Sequence, residues 1–256
     1  MEENIDQEPN ITDVKPQKAK CKHKLLKFII GLVIVITAVL LTANFALPGL
    51  ITPRDLGVKY SSSDHDSAVA KLSTVKELLT NLSTISEYNY GTAKNIDISL
   101  NSAEITAFIN TGNTVKYAVN NYQVLVNPDG TIETSGSVNV DFFLREILNN
   151  KVSREQIVKE VPALAVLPSN VNLYMKFSGE IISNKSSAAI KDVAVQGITI
   201  PAKYINTDEA VSTFTNGIDS FLARNNPISG TSIDSLTTKD GLVNLKAKIP
   251  SMVNAR

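Results

Sequence analysis

The chain has 256 residues, 25 basic and 25 acidic side chains, and a single cysteine, Cys21. Residues 1–54 hold 7 of the basic and 5 of the acidic residues, which leaves 18 basic and 20 acidic residues in the rest of the chain. That remainder, with a net charge of −2, has no basic stripe, which excludes a typical nucleic-acid-binding surface. One cysteine forms no disulfide within the chain, so we expect the fold to depend on an apolar core.

Residues 1–24 are polar, contain no aromatic side chain, and change from acidic to basic along their length. Such a composition buries too little apolar surface to offset the entropy lost when a chain becomes ordered. We therefore predict a disordered, basic cytoplasmic tail.

An uncharged apolar run follows the tail. Residues 28–47 are almost wholly apolar, and about 20 helical residues cross a hydrocarbon core of roughly 30 Å. Six lysines lie between residues 15 and 27, whereas only Arg54 and Lys59 follow the run closely. Because basic residues stay on the cytoplasmic side, we predict a transmembrane helix at 25–48 with an extracytoplasmic domain after it.

A cleaved signal peptide is the alternative to this anchor. Its apolar region normally has about 7–15 residues and ends at a small-x-small site. The run in this chain is longer, and the nearest candidate site, Asn44–Ala46, is a poor one. We therefore predict an uncleaved signal-anchor and a single-pass protein of the cell membrane.

Residues 54–94 are predicted to form a linker and a helical segment. The stretch 54–62 has the composition of a linker that leaves the membrane. Ser63 or Asp64 is suited to cap a first helix, and apolar residues with helical spacing predict a second helix at 75–87.

The remaining residues, 95–256, begin with a strand, a helix and a hairpin. An alternating strand ends at Leu100. Asn101 followed by Glu104 has the spacing of a capping box, which predicts that a helix begins there. An alternating hairpin follows around Asn127–Gly130, whose Pro-Asp-Gly sequence is a strong turn signal.

A second helix and hairpin come next in the chain. Helical patterns occupy 141–160, and alternating strands follow at 171–181 and 188–195 around a turn near Asn184–Ser186.

A third unit begins with the clearest helix, which we predict to start at Thr207 and to stop at Asn225–Pro227. Its apolar stripe consists of Val211, Phe214, Ile218, Phe221 and Leu222. A last hairpin of 228–236 and 242–249 crosses Lys239–Gly241.

Repeated helix–β-hairpin units predict the fold class. Hairpins imply antiparallel pairing, and strands that are apolar on one face need helices to cover that face. We therefore predict an α+β domain in which a curved antiparallel sheet packs on helices.

The sequence contains no recognisable catalytic constellation. The extracytoplasmic part has one histidine, His65, between Asp64 and Asp66. A carboxylate–imidazole pair is able to act as a base or to bind a metal, but three adjacent residues at a helix start point in different directions. We predict no enzyme, no metal and no cofactor, and keep a cell-envelope hydrolase that uses His65 as an alternative.

The run ISLNSAEITAFIN and the run YQVLVNPDGTIETSGSVNV combine a strand, a helix and a hairpin with an Asp-Gly turn. With the anchor before them, they resemble bacterial membrane-anchored extracytoplasmic proteins whose function is uncharacterised. The layout of residues 95–250 is also similar to TULIP (tubular lipid-binding) domains. In those domains a long helix lies along a curved antiparallel sheet, and the resemblance implies a lipid in the seam between them.

An apolar inner surface of this kind is either filled by its own side chains or open to an acyl chain. Our leading hypothesis is a membrane-anchored domain that binds a lipid or another apolar ligand. The predicted ligand contacts are Leu173, Met175, Phe177, Phe214, Ile218 and Phe221. The second hypothesis is an envelope assembly protein that binds a protein partner through a sheet edge or through helices at 64–87.

Overall fold

The computed structural model of the chain describes residues 52–73, 75–76, 88–111, 119–142, 155, 169–205 and 207–255. The predicted tail and the predicted transmembrane helix at 25–48 lie outside these residues. Within the described part, no helix is both long and apolar enough to span a membrane.

The described residues form an α+β fold. The helices are α1 (Ser62–Leu72), α2 (Ser102–Asn110), α3 (Val140–Phe142), α4 (Ala202–Ile205) and α5 (Asp208–Ser229). The strands are β1 (Val75–Lys76), β2 (Tyr88–Tyr90), β3 (Ala93–Asn101), β4 (Val119–Val126), β5 (Ile132–Asn139), β6 (Asn170–Ile182), β7 (Lys185–Val195), β8 (Ile198–Thr199), β9 (Ser232–Lys239), β10 (Leu242–Pro250) and β11 (Met252–Ala255).

Eight strands make one strongly curled antiparallel sheet, a half-barrel. Its order is β3-β10-β9-β6-β5-β4, and β7 pairs with the other edge of β6 and carries β8. A separate small sheet has the order β1-β11-β2. The predicted curved antiparallel sheet is confirmed.

The predicted turns join these strands. The Asn127 N–H donates to Thr131 O at 2.8 Å, which closes the β4–β5 hairpin around the Pro-Asp-Gly sequence. Asp240 and Gly241 join β9 to β10 with φ angles of 53° and 74°, the backbone that a two-residue hairpin turn requires.

The sheet has an inner face, covered by helices, and an outer face. Alternation along β6 puts Met175 and Phe177 on the inner face and Tyr174 on the outer face. Two apolar clusters lie on the inner face. One contains Val124, Val126, Ile132 and Val243 and packs against Ile105 and Ile109 of α2; the other contains Val193, Val195, Ile200 and Ile205 and packs against Leu173 and Met175.

Helix α2 begins as the sequence predicts. The Glu104 N–H donates to Asn101 Oδ1 at 2.9 Å, and the Asn101 N–H donates to Glu104 Oε2 at 3.0 Å. The capping box is therefore present, with both of its reciprocal hydrogen bonds.

Two predicted helix ends are wrong. Helix α1 is capped by Ser61 and not by Ser63 or Asp64, because Asp64 serves as the third helical residue of a capping box. Helix α5 begins after Thr207 as predicted, but continues through Pro227 to Ser229. The ring fixes the proline φ near the helical value, so the helix passes through it despite a lost donor and crowding against the carbonyl four residues earlier. It ends where Gly230 adopts a φ of 69°.

Two predicted helical segments fall largely outside the described residues. In the stretch 75–87, Val75–Lys76 is a strand, contrary to the predicted helix, and the rest is not described. In the stretch 141–160, the described residues 141–142 and 155 are helical.

Candidate functional site

The predicted ligand residues lie on two elements, α5 and the inner face of β6, and we name the zone where α5 packs on the inner face of β6 and β7 the seam. The rings of Phe177 and Phe214 meet edge to face, with centroids 5.8 Å apart and planes at 64°. Offset and edge-to-face contacts are the arrangements that aromatic pairs prefer. The structure therefore brings together two of the six predicted residues, one from the sheet and one from the helix.

The other two β6 residues sit on the same face. Leu173 pairs with Val195 of β7 and Met175 pairs with Val193, both in antiparallel register. Leu173 and Met175 also pack against the apolar cluster that includes Ile200. They share the inner face of β6 with Phe177.

The α5 residues follow a helical spacing of four and three. Ile218 lies one turn beyond Phe214, and Phe221 lies almost one turn further, so the three side chains share a face. Ala210 and Leu222, close to this stripe, are buried at 3% and 9% exposure.

The seam residues are less buried than the members of the two core clusters. All six predicted ligand residues are only half-buried, whereas Val126 in the neighbouring cluster is 4% exposed. Their side chains therefore keep apolar surface that the described residues leave uncovered.

A polar contact holds α5 on the sheet. Asp219 Oδ1 accepts hydrogen bonds from the Ser186 N–H and from Ser186 Oγ, both at 2.8 Å. Lys185 Nζ lies 3.4 Å from the other carboxylate oxygen. Burial raises the pKa of Asp219, but the Ser186 hydrogen bonds and the Lys185 ammonium outweigh it, so the pKa lies below its ordinary value. Sequence reasoning did not single out this contact, because residues 186 and 219 carry no local signal that joins them.

The outer face carries a charged network instead of an apolar surface. Tyr174 Oη donates to Glu133 Oε2 at 2.9 Å, and Lys176 Nζ lies 3.1 Å from Glu133 Oε1. Burial raises the pKa of Tyr174, and the neighbouring carboxylate raises it further, to about 12. The two faces of β6 therefore differ in chemistry as well as in direction.

A shallow cleft of about 360 Å³ lies where β6 branches. The β5 ladder ends at Phe177 and the β9 ladder begins at Ile181, so among the described strands none pairs with Ser178–Glu180 on that edge. The cleft is also lined by Ser187–Ala189 and Thr237–Thr238. Its walls are mostly polar, and it is not the seam.

His65 is placed against an aromatic ring. Its imidazole stacks on Phe108, with ring centroids 6.4 Å apart and an interplanar angle of 18°. Asp66 lies 3.5 Å from His65 Nδ1, but its side chain is 81% exposed. Among the residues that the structure describes, no three His, Cys, Asp or Glu side chains cluster as metal ligands would.

The surfaces considered for a protein partner are partly occupied. Side chains of α2 cover the free edge of β4 through hydrogen bonds to its backbone. Helix α1 packs on α2, where Lys71 Nζ and Glu104 Oε1 are 2.7 Å apart.

The seam is lined by apolar side chains. It combines an aromatic pair with aliphatic side chains on a curled sheet, and a charged network lies on the opposite face. Known proteins add nothing to this geometry, because comparison with family models, curated proteins and solved structures gave no match for this chain.

Proposed function

We propose that this chain is a membrane-anchored extracytoplasmic domain that binds a lipid acyl chain, or a ligand of the same apolar chemistry, without catalysis. The ligand lies in the seam between α5 and the inner face of β6 and β7. Its contacts are the six predicted residues at 173, 175, 177, 214, 218 and 221.

The observation that carries this proposal is the partial burial of the apolar side chains at the seam. Phe177 and Phe214 contact each other, yet both retain exposed surface. The side chains at 173, 175, 218 and 221 are partly exposed as well. Burying one methylene group contributes about 0.8 kcal/mol, so a segment of about six methylenes gains roughly 5 kcal/mol before ordering costs. A short acyl segment is therefore enough for useful affinity.

The anchor supports a lipid ligand. An apolar run of 20 residues at 28–47, with six lysines before it, has the length and flanking charge of a signal-anchor. A domain tethered in this way works beside a bilayer, where acyl chains are the most abundant apolar ligand.

Photocrosslinking of the full chain tests the proposal. The protein is reconstituted into nanodiscs that contain a phospholipid with a diazirine on its acyl chain, and crosslinked peptides are identified by mass spectrometry. We expect crosslinks at peptides that contain residues 171–177 and 211–221, in addition to the anchor. Phe214→Ser should reduce crosslinking in these two peptides at least fivefold.

Ile182→Ser provides the matched control. Ile182 is 45% exposed on β6 but faces outward, away from the seam, so its substitution should leave the seam crosslinks unchanged. Crosslinks confined to the anchor, or a yield that Phe214→Ser does not lower, would contradict lipid binding in the seam.

A further inference from the structure

The residues that follow the predicted anchor are fixed to the outer face of the sheet. We name Arg54–Gly57 the juxtamembrane strap. The guanidinium carbon of Arg54 lies 4.2 Å from the centroid of the Tyr174 ring. This distance is well within the range of a cation–π contact, and the flat arginine head group is suited to stacking on a ring.

The side-chain amide of Gln123 binds the middle of the strap through both its oxygen and its nitrogen. The Leu56 N–H donates to Gln123 Oε1 at 2.7 Å, and Gln123 Nε2 donates to Asp55 Oδ1 at 3.1 Å. The Gly57 N–H also donates to Asp55 Oδ1, at 2.8 Å. The strap thus has a defined turn and two anchoring points on β4 and β6.

The strap binds the face of the sheet that is opposite to the seam. Tyr174 and Gln123 point outward, whereas Met175 and Phe177 alternate to the inner face. The position of the Tyr174 ring is fixed in turn, because its hydroxyl donates a hydrogen bond to Glu133. Only the short stretch 49–53 then separates the predicted anchor at 25–48 from the strap, and five residues reach about 18 Å at most.

We propose that the juxtamembrane strap holds the domain at one height and in one orientation on the bilayer, with the strap and the ligand seam on opposite faces of the sheet. This inference rests on the proposed anchor and seam. The linker predicted at 54–62 is then no free tether, because its first four residues belong to the folded domain. Ligand then enters and leaves the seam from one direction relative to the bilayer, because the domain does not rotate freely on its tether.

Distance measurements on the full chain in nanodiscs test the strap. Cys21→Ser removes the only thiol, and a fluorescent donor is attached through Ala189→Cys on the outer face or through Asn216→Cys on α5, both exposed positions. Time-resolved energy transfer to acceptor-labelled headgroups gives the height of each site. We expect two different heights with narrow distributions.

Removal of the strap contacts should abolish this difference. In Arg54→Ala/Gln123→Ala, we expect both distributions to broaden and the two heights to converge. Lys59→Ala is the control, because Lys59 is an exposed neighbouring cation outside the strap, and it should keep both heights. Near-ultraviolet circular dichroism verifies that each variant retains the native fold.

Two outcomes would overturn the proposal. A fixed orientation is excluded if the two labelled sites have equal heights with broad distributions when the strap is unmodified. It is also excluded if the double variant leaves both heights unchanged. Flotation of the chain with liposomes checks the anchor separately, and failure to float would remove the anchor and the strap proposal together. Loss of seam crosslinks with intact heights would instead contradict only the proposed ligand binding.

Discussion

The side-chain amide of Asn110 pairs with the backbone of Tyr122 as a neighbouring strand would. The Tyr122 N–H donates to Asn110 Oδ1 at 3.0 Å, and Asn110 Nδ2 donates to Tyr122 O at 2.6 Å. The pair lies where β4 bulges next to Asn121, whose φ is 49°. One amide thus satisfies both backbone groups of a residue on an edge strand of the sheet.

Helix α2 repeats this contact twice along β4. Thr106 Oγ1 accepts from the Val124 N–H at 3.0 Å, and Ser102 Oγ accepts from the Val126 N–H at 2.9 Å. Four helical residues rise about 6 Å and two strand residues rise about 6.6 Å, so the two spacings match. An unprotected edge strand invites pairing with other chains, and α2 prevents this at β4.

Asn110→Ala should therefore weaken both stability and edge protection. We expect the free energy of unfolding to fall by about 2 kcal/mol, because two partly buried backbone groups lose their partner. Chemical denaturation of the full chain in detergent, followed by near-ultraviolet circular dichroism, measures the change. Asn216→Ala, at an exposed position of α5, is the control. Equal denaturation midpoints for Asn110→Ala and the wild-type chain would show that the pairing of this side chain with β4 adds nothing to stability.

Glu104 should make the free energy of unfolding depend on pH in the acid range. Burial raises its pKa, but hydrogen bonds from Lys71, Ser67 and the Asn101 N–H outweigh this, so its pKa in the folded chain lies below the ordinary value. A lowered pKa stabilises the fold above the unfolded pKa of about 4.3, and this stabilisation is lost as the pH falls through the folded pKa.

Glu104→Gln tests this pH dependence. We expect it to lower the free energy of unfolding by about 2 kcal/mol at pH 7 and by progressively less below about pH 4.5. Denaturation curves between pH 7 and pH 3 measure the difference. Glu180→Gln changes an exposed carboxylate on β6 in the same way and should have little effect at any pH. A Glu104→Gln deficit that does not shrink in acid would contradict the assignment.

Gly136→Ala should destabilise the sheet through a steric clash. A Cβ atom at Gly136 would lie 2.4 Å from Tyr122 Cδ2 and 3.0 Å from Tyr122 Cα. Because the Cα atom does not rotate away, we expect a loss of about 1–3 kcal/mol, the usual cost of overpacking. Thermal unfolding measures this loss, with Ser137→Ala on the next residue as the control. An unchanged melting temperature would mean that β4 moves aside freely.

Asp219→Ala should loosen α5 on the sheet. It removes the acceptor for two Ser186 hydrogen bonds, and we expect amide hydrogen exchange in residues 213–221 to accelerate about tenfold. Hydrogen-exchange mass spectrometry measures this change. Asp234→Ala, an exposed aspartate on β9, should leave exchange in α5 unaltered. Faster exchange in Asp234→Ala as well would indicate general destabilisation.

Local signals in the sequence predicted many of the helix starts and turns. The capping box of Asn101 and Glu104 and the cap at Thr207 are present in the structure. The Asn127–Gly130 turn joins two strands as predicted. Each of these features depends on residues within about four positions of one another, so the sequence specifies it regardless of its tertiary surroundings. Pro227 misled the prediction because the helix passes through this proline, whose fixed φ is helical, and ends only where Gly230 adopts the left-handed backbone.

The side-chain contacts that position the seam were not predictable in this way. Alternation placed Phe177 on the apolar face and helical spacing placed Phe214 on the apolar stripe, but only the folded sheet brings the two rings together. Asp219 reaches Ser186 across 33 residues, and Gln123 reaches Leu56 across 67. Polar partners so far apart carry no periodic signal, because their pairing depends on strand register and helix docking.

The sequence alone therefore determined the α+β class, the hairpins and the alternation that separates an apolar face from a polar one, since these depend on local backbone preference and on the burial of apolar surface. The tertiary structure decided that α2 covers the edge of β4, that α5 leaves a half-buried seam, and that Arg54 lies on Tyr174. Those features arise from the packing of distant segments, where single hydrogen bonds and ring contacts select among arrangements that bury similar apolar area.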